Sequence, residues 1–312
     1  MHTVRGPRAI ARRSFKLAAL GICATLGLAL ASAPALAKTS PKKPKAPKIT
    51  TKTPVTPGST YLALGDSVTF GYQEAQVVPA PNYADASSFT GYPELVGSGL
   101  HLNVVNAACP GETSSSMINP TAQSNGCENA PGGGPAYLTS GFPLHTKYTG
   151  SQLGFAVSYL KKHHNVRLVS LMIGANDLLL CQETTADHCA SLTEQAAVIG
   201  TASKNIATVL TAIRKKAHYG GQIVFVNYYS PAPAQNSFTA LGNTSLDSAT
   251  KPFHVEIADG FGQFAAGEAH SGGSPCTAGL LTQLSTGGCG IHPSYAGQGL
   301  LALAVEKAIR LG

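Results

Sequence analysis

Ser67 stands just beyond a short apolar run, Tyr61-Leu62-Ala63-Leu64, that stops at Gly65-Asp66. Such a run reads as a buried strand, and glycine and aspartate favour the turn that ends it. The hydroxyl is thereby lifted to the carboxyl end of a strand, the edge at which open α/β sheets bind ligands. A serine can attack an acyl carbon there, provided a base and a set of oxyanion donors lie nearby. Three other stretches offer them. Asn106-Ala107-Ala108-Cys109-Pro110-Gly111 carries a glycine that lets a backbone N–H approach a ligand closely. Gly174-Ala175-Asn176-Asp177 follows another apolar run, and Asn176 brings a side-chain NH₂ donor. His292-Pro293-Ser294 precedes the last amphipathic segment; proline suits a helix start, and imidazole is the commonest general base. Asp66 is expected to shape the turn by hydrogen bonding, and Asp177 to be structural. His163 and His164, after two lysines, read as a solvated surface pair.

The elements that must position these residues alternate. Helices are expected at 92–100, 114–118, 152–163, 192–217 and 295–311, and strands at 61–64, 103–106, 166–173, 222–226 and 253–258. The run VRLVSLMI at 166–173 is nearly continuous in apolar residues, the mark of a central parallel strand. Strands separated by helices predict an α/β chain with a mostly parallel, five-stranded, doubly wound sheet. Residues 119–150 form a long loop rich in glycine, proline and asparagine; loops of that length in compact domains are usually functional or disordered. Leu178-Leu179-Leu180 and the loops at 73–89 and 119–150 are expected to line the substrate pocket.

The first residues fall outside this scheme. Arg5, Arg8, Arg12, Arg13 and Lys16 precede the apolar stretch 17–30, and Ala35-Leu36-Ala37 supplies small residues for cleavage. Residues 1–37 therefore read as a secretory signal, and Arg12-Arg13 resembles a twin-arginine export signal. Residues 38–58 hold six lysines, five prolines and hardly any bulky apolar side chain, so a disordered linker is expected, able at most to make a weak contact with an anionic wall or membrane surface. These segments carry 11 of the 22 basic residues and no acid, leaving 11 against 15 acidic residues for the domain at 59–312. The formal charge of +7 is thus no argument for nucleic-acid binding. No feature demands more than a monomer.

Cysteine use agrees with export. Cys23 lies in the signal, and six remain. An even number in an exported chain points to disulfides, with nearest neighbours as the expected pairs: Cys109–Cys127, Cys181–Cys189 and Cys276–Cys289. The chain has no CxxC or HExxH string, so no metal is expected. The glycine-rich 131–135 lacks the Lys-Ser/Thr of a phosphate loop.

Taken together, the blocks at Ser67, Gly111, Asn176 and His292 resemble, in order and over essentially all of 59–312, those of the SGNH (GDSL) hydrolases. The resemblance implies a flavodoxin-like three-layer α/β/α fold and cofactor-free hydrolysis of a small-molecule or lipid ester through an acyl-enzyme on Ser67. His292 would be the base, and the N–H groups of Ser67 and Gly111 and the amide of Asn176 the oxyanion hole. An acyltransferase with the same site, or a non-catalytic wall-binding protein, are the alternatives. There is no GxSxG, because Thr69 fills its last position, so the α/β-hydrolase elbow is the wrong template. One departure matters. The family's usual aspartate, three residues before the histidine, is replaced by Cys289, and no acid lies between Glu268 and Glu306. The expected partner of His292 Nδ1 is therefore a backbone carbonyl near Cys289, steadied by the Cys276–Cys289 disulfide; the alternative is a remote acid.

Overall fold

The computed structural model describes residues 49–312. The expected signal sequence, its twin arginines and most of the lysine-rich segment lie outside the described residues. The sheet is built from β1 (Thr60–Gly65), β2 (Asn103–Asn106), β3 (Val166–Met172), β4 (Gln222–Val226) and β5 (Glu256–Ala258), in the order β2-β1-β3-β4-β5. Every pairing is parallel. The short α1 (Ser67–Phe70) caps β1, and α2 (Tyr92–Leu100), α3 (Gln152–Lys162), α4 (Ala175–Thr184), α5 (Leu192–Thr211), α6 (Asn236–Thr250), α7 (Gly260–Glu268) and α8 (Tyr295–Ala308) complete the helices. A separate antiparallel hairpin joins β6 (Leu281–Gln283) to β7 (Cys289–Pro293).

The side-chain alternation of the strands explains the three layers. On one face Leu62, Leu64, Val169, Leu171, Ile223 and Phe225 pack with the apolar stripes of α3 and α5. On the other, Tyr61, Ala63, Leu168, Met172, Val224 and Val226 pack against α2 and α8. Both faces are covered, so the strands read as apolar runs. Ser170 is the polar exception in the middle of β3; its Oγ accepts from Tyr61 at 2.7 Å.

Several expected elements differ. Residues 114–118 form turns, not a helix; side chains, one local and one from α4, take backbone donors at the start of the stretch. Thr113 N–H bonds Ser116 Oγ at 3.0 Å, and Ser114 N–H bonds Asp177 Oδ2 at 2.8 Å. The fifth strand is only Glu256–Ala258, preceded by a 3₁₀ turn at Lys251–Phe253. α5 passes into a π-helical turn, Ala212–Lys216, and α4, α6, α7 and the β6–β7 hairpin were not expected.

The linker is corrected most. Residues 49–58 are not free of the domain. Val55 is 1% exposed, its N–H bonds Arg310 O at 2.8 Å, and Gly312 N–H bonds Val55 O at 3.1 Å. Gln222 Nε2 reaches Thr53 O at 2.8 Å, while its Oε1 accepts from Arg310 N–H at 2.8 Å. The same contacts end α8 at Ala308, short of 311. One buried valine and a few ladder bonds suffice to dock a stretch whose composition favours disorder. Val55→Ala should therefore lower stability by about 1–3 kcal/mol, read from the urea midpoint; a disordered segment would show no change.

Candidate active site

β1 and β3 are neighbours, with Gly65 opposite Met172 in register. The loops leaving them therefore emerge side by side, where the strand order reverses and α/β sheets form their binding crevice. Ser67 opens α1, and Asp66 caps it: Asp66 Oδ1 accepts from Val68 N–H at 3.0 Å, and Oδ2 accepts from the Tyr228 hydroxyl. Complete burial pushes the Asp66 carboxyl up to about 6, against the pull of those two bonds. Its task is thus to hold the turn. Tyr228 is fixed in turn by Asn243 of α6, which accepts from its N–H at 3.0 Å and donates to its carbonyl at 2.7 Å.

Beyond β2, Asn106 Nδ2 bonds Thr69 O and Glu94 Oε1, each at 2.9 Å, and Gly111 turns with φ +81°. A Cβ there would run into the backbone of Asn125, so the position needs glycine. Beneath the loop, Gln152 Nε2 bonds Gly65 O at 3.0 Å and Glu112 Oε2 at 3.1 Å. Burial, and then the charge of Glu128, push the Glu112 carboxyl well up. The Cys109–Cys127 disulfide fastens the same loop, and Cys181–Cys189 and Cys276–Cys289 also pair as nearest neighbours. Both potential metal-ligand clusters among the described residues draw on these bonded sulfurs, which leaves them short of free ligands. Asn176, at the start of α4, is 5% exposed and accepts from Asn125 Nδ2 through its Oδ1 at 3.3 Å, which leaves its NH₂ directed elsewhere. Asp177 anchors Ser114 through its N–H and hydroxyl.

His292 lies on β7, and its Nε2 is 2.9 Å from Ser67 Oγ. Its Nδ1 is 2.8 Å from Glu74 Oε1. The expected carbonyl near Cys289 is thus replaced by a carboxylate, 218 residues from the histidine, on the loop after the nucleophile turn. Cys289 instead sits opposite Gln283 in the hairpin, and its sulfur accepts from Gln283 Nε2. No spacing rule pointed to Glu74; the only signal was that it is the sole acid between Asp66 and Asp85. Glu74 Oε1 also accepts from Ile291 N–H at 2.9 Å and His292 N–H at 3.3 Å, and Oε2 accepts from Thr282 Oγ1 at 2.6 Å. Gly290 makes room, since a Cβ there would overlap the Glu74 carboxylate. Burial alone would raise the Glu74 carboxyl, but the bond to His292, the charge of that ring and the Thr282 hydroxyl outweigh it and lower the group to about 2. The Tyr72 ring stands edge-on to the imidazole at 4.9 Å, and the Tyr229 hydroxyl donates to Ile291 O.

Ser67, Gly111, Asn176 and His292 all line one cavity of about 760 Å³. Among the described residues no acceptor takes the N–H of Ser67, the N–H of Gly111 or the Nδ2 of Asn176. The structure therefore brings together a hydroxyl, an imidazole backed by a carboxylate, and three unclaimed donors. That set can deprotonate an alcohol and stabilise an oxyanion. Tyr83 from the loop at 73–89 and Tyr137 and Phe142 from the loop at 119–150 line the cavity as expected, with Leu178 and Leu179; Tyr72, just before the first loop, also lines it, and Leu180 does not.

The sequence model of the GDSL-like lipase/acylhydrolase family matches residues 63–300. Among solved structures the chain is similar to a lipase from a goat rumen metagenome, with 16% identity and a TM-score of 0.50 over 80% of this chain and 97% of that one. It is also similar to phospholipase A1 from Streptomyces albidoflavus, with 21% identity and a TM-score of 0.49 over 80% and 99%. An acetylxylan esterase from Geobacillus stearothermophilus gives 15% identity and a TM-score of 0.47 over 81% and 94%. No curated protein sequence matches.

The lowered Glu74 carboxyl has a pH signature. A carboxyl held below its unfolded value of about 4.3 contributes stability that is complete above that value. The contribution disappears as pH falls toward 2. Across that window the urea midpoint of the wild type should fall more steeply than that of Glu74→Gln; parallel curves would mean that the site does not hold Glu74 ionised.

Proposed function

Because the chain belongs to the GDSL-like lipase/acylhydrolase family, we propose that it is an exported serine ester hydrolase working through an acyl-enzyme on Ser67. The observation that carries this reading is the chain of contacts Ser67 Oγ–His292 Nε2 at 2.9 Å and His292 Nδ1–Glu74 Oε1 at 2.8 Å. With Nδ1–H donated to Glu74, Nε2 is free to accept the serine proton as Oγ attacks the ester carbonyl carbon. The carbonyl oxygen, now negative, takes hydrogen bonds from Ser67 N–H, Gly111 N–H and Asn176 Nδ2. The tetrahedral adduct collapses as the C–O bond to the alcohol breaks, and the imidazolium returns its proton to that alcohol. Water, deprotonated by the same nitrogen, then cleaves the acyl-enzyme to the acid.

Glu74 fixes the tautomer and stabilises the imidazolium, the role of the aspartate in other hydrolytic triads. The low Glu74 value keeps it ionised throughout the neutral range. Export follows from the sequence of residues 1–37, and the three disulfides are compatible with an extracellular protein.

Hydrolysis of p-nitrophenyl esters tests the reading. Ser67→Ala should abolish turnover, and an active Ser67→Ala would end the proposal. Asn176→Ala should lower kcat by about 10²–10³. Glu74→Gln should lower it by up to about 10⁴, because an amide that donates to Nδ1 imposes the wrong tautomer. If Glu74→Gln keeps wild-type kcat, the histidine works as a dyad with the serine alone.

A further inference from the structure

Asn125 uses its amide differently from the other asparagines around the site. Asn106 commits its Nδ2 to Thr69 O and Glu94 Oε1. Asn129 bonds within its own loop, to Ala122 O, Ser124 N–H and Gln123 Nε2. Asn243 holds the backbone of Tyr228. Each of these serves the fold. The side chain of Asn125 has one partner among the described residues: its Nδ2 donates to Asn176 Oδ1 at 3.3 Å. It also lines the cavity together with Ser67, Gly111 and Asn176.

The backbone of the same residue holds the loop donor. Asn125 N–H bonds Gly111 O at 2.7 Å, and the Asn125 carbonyl fills the space that a Cβ at Gly111 would take. Glu112 N–H closes the turn on Cys109 O at 3.2 Å. The peptide between Gly111 and Glu112 is thus held at its carbonyl and at its N–H, with main-chain partners alone. The Cys109–Cys127 disulfide, two residues beyond Asn125, fastens the two sides of this loop together. Asn125 therefore stands between two of the free donors, with its backbone on Gly111 and its side chain on Asn176.

A carboxamide has two orientations of nearly equal shape, related by a half-turn of its last torsion. One presents the NH₂ of Asn176 to the cavity. The other presents its carbonyl oxygen, which would repel an oxyanion. Packing cannot choose between two groups of the same size, but a hydrogen-bond donor can. Asn125 Nδ2 is the donor that Asn176 Oδ1 receives, and no other group among the described residues bonds that oxygen. We propose that Asn125 is a positioning residue: its bond to Oδ1 holds the Asn176 amide with the NH₂ turned to the oxyanion. This rests on the hydrolase reading above. Asn125 acts through Asn176, so its effect on the reaction exists only while Asn176 is present.

A double-mutant cycle on p-nitrophenyl ester hydrolysis tests this. Asn125→Ala keeps the main-chain bond to Gly111 and should lower kcat about 2–10-fold, the worth of one neutral hydrogen bond. In an Asn176→Ala background the same substitution should change kcat by less than about twofold; an undiminished loss there would overturn the proposal. Asn125→Asp replaces the donor by acceptors and draws the Asn176 NH₂ away from the cavity. It should lower kcat further, toward the about 10²–10³ of losing the donor outright, and wild-type kcat in this variant would also overturn the proposal. A second readout is independent of turnover. The side-chain amide signals of Asn176 in a proton–nitrogen correlation spectrum, identified by their loss in Asn176→Ala, should move in Asn125→Ala. Unmoved signals would refute the contact whatever the kinetics. A wild type that hydrolyses no ester, with signals that do move, would end the hydrolase reading and leave the orientation of the amide standing.

Discussion

The carboxylate of Glu74 is the constraint on which the site depends. The sheet can place Ser67 and Asn176, because both follow strands in one ladder. It cannot place His292, which rides on a two-stranded hairpin outside the sheet. Glu74 ties that hairpin to the nucleophile loop by accepting from Ile291 N–H, His292 N–H, His292 Nδ1 and Thr282 Oγ1. A carboxylate has about four lone-pair sites, so these donors come close to satisfying it. That is what makes a charge at 18% side-chain exposure tolerable. The same bonds set the imidazole plane and its tautomer. Position, charge and orientation thus come from one group.

Around that tie the rest of the molecule is scaffold. Two-sided burial of β1, β3 and β4 makes the sheet rigid at its centre. Its register puts Gly65 level with Met172, so the turns that follow leave the sheet at the same height. Gln152 bonds both the N–H and the carbonyl of Gly65, and so reaches from α3 to the base of the nucleophile turn. The Cys276–Cys289 disulfide fastens the hairpin end, and Gly290 keeps the approach of Glu74 open.

Much of this was legible in the sequence. The strands Asn103–Asn106 and Gln222–Val226 and the helix Tyr92–Leu100 fall at the expected bounds, because each is a clear apolar pattern between turn residues. Ser67, Gly111, Asn176 and His292 were visible because each adjoins such an element. Glu74 was not, because it lies 218 residues from His292 along the chain and is brought to it only by the fold. The docking of Thr53 and Val55 was missed because composition averages over a window, while one buried side chain decides the outcome. α6 was missed for another reason: NSFTALGNTSLDSAT is rich in serine, threonine and asparagine, and one of its faces turns to the cavity, not to the core.

That last failure and the chemistry have one source. Folding rewards side chains that fill space and donors that find acceptors. Along this cavity the chain does neither: a Cβ at Gly242 of α6 would touch nothing within 4 Å, and among the described residues two backbone N–H groups and an amide are left without protein partners. The cavity also holds an imidazole whose second nitrogen is already committed to a carboxylate. None of these features is required by the layers that surround it, and the glycine weakens its own helix. On the proposed reading a bound ester completes them: its carbonyl oxygen, as it becomes negative, takes the free donors. Donors fixed before the charge appears need no reorganisation when it does, so on that reading the locally unsatisfied donors are the physical basis of catalysis.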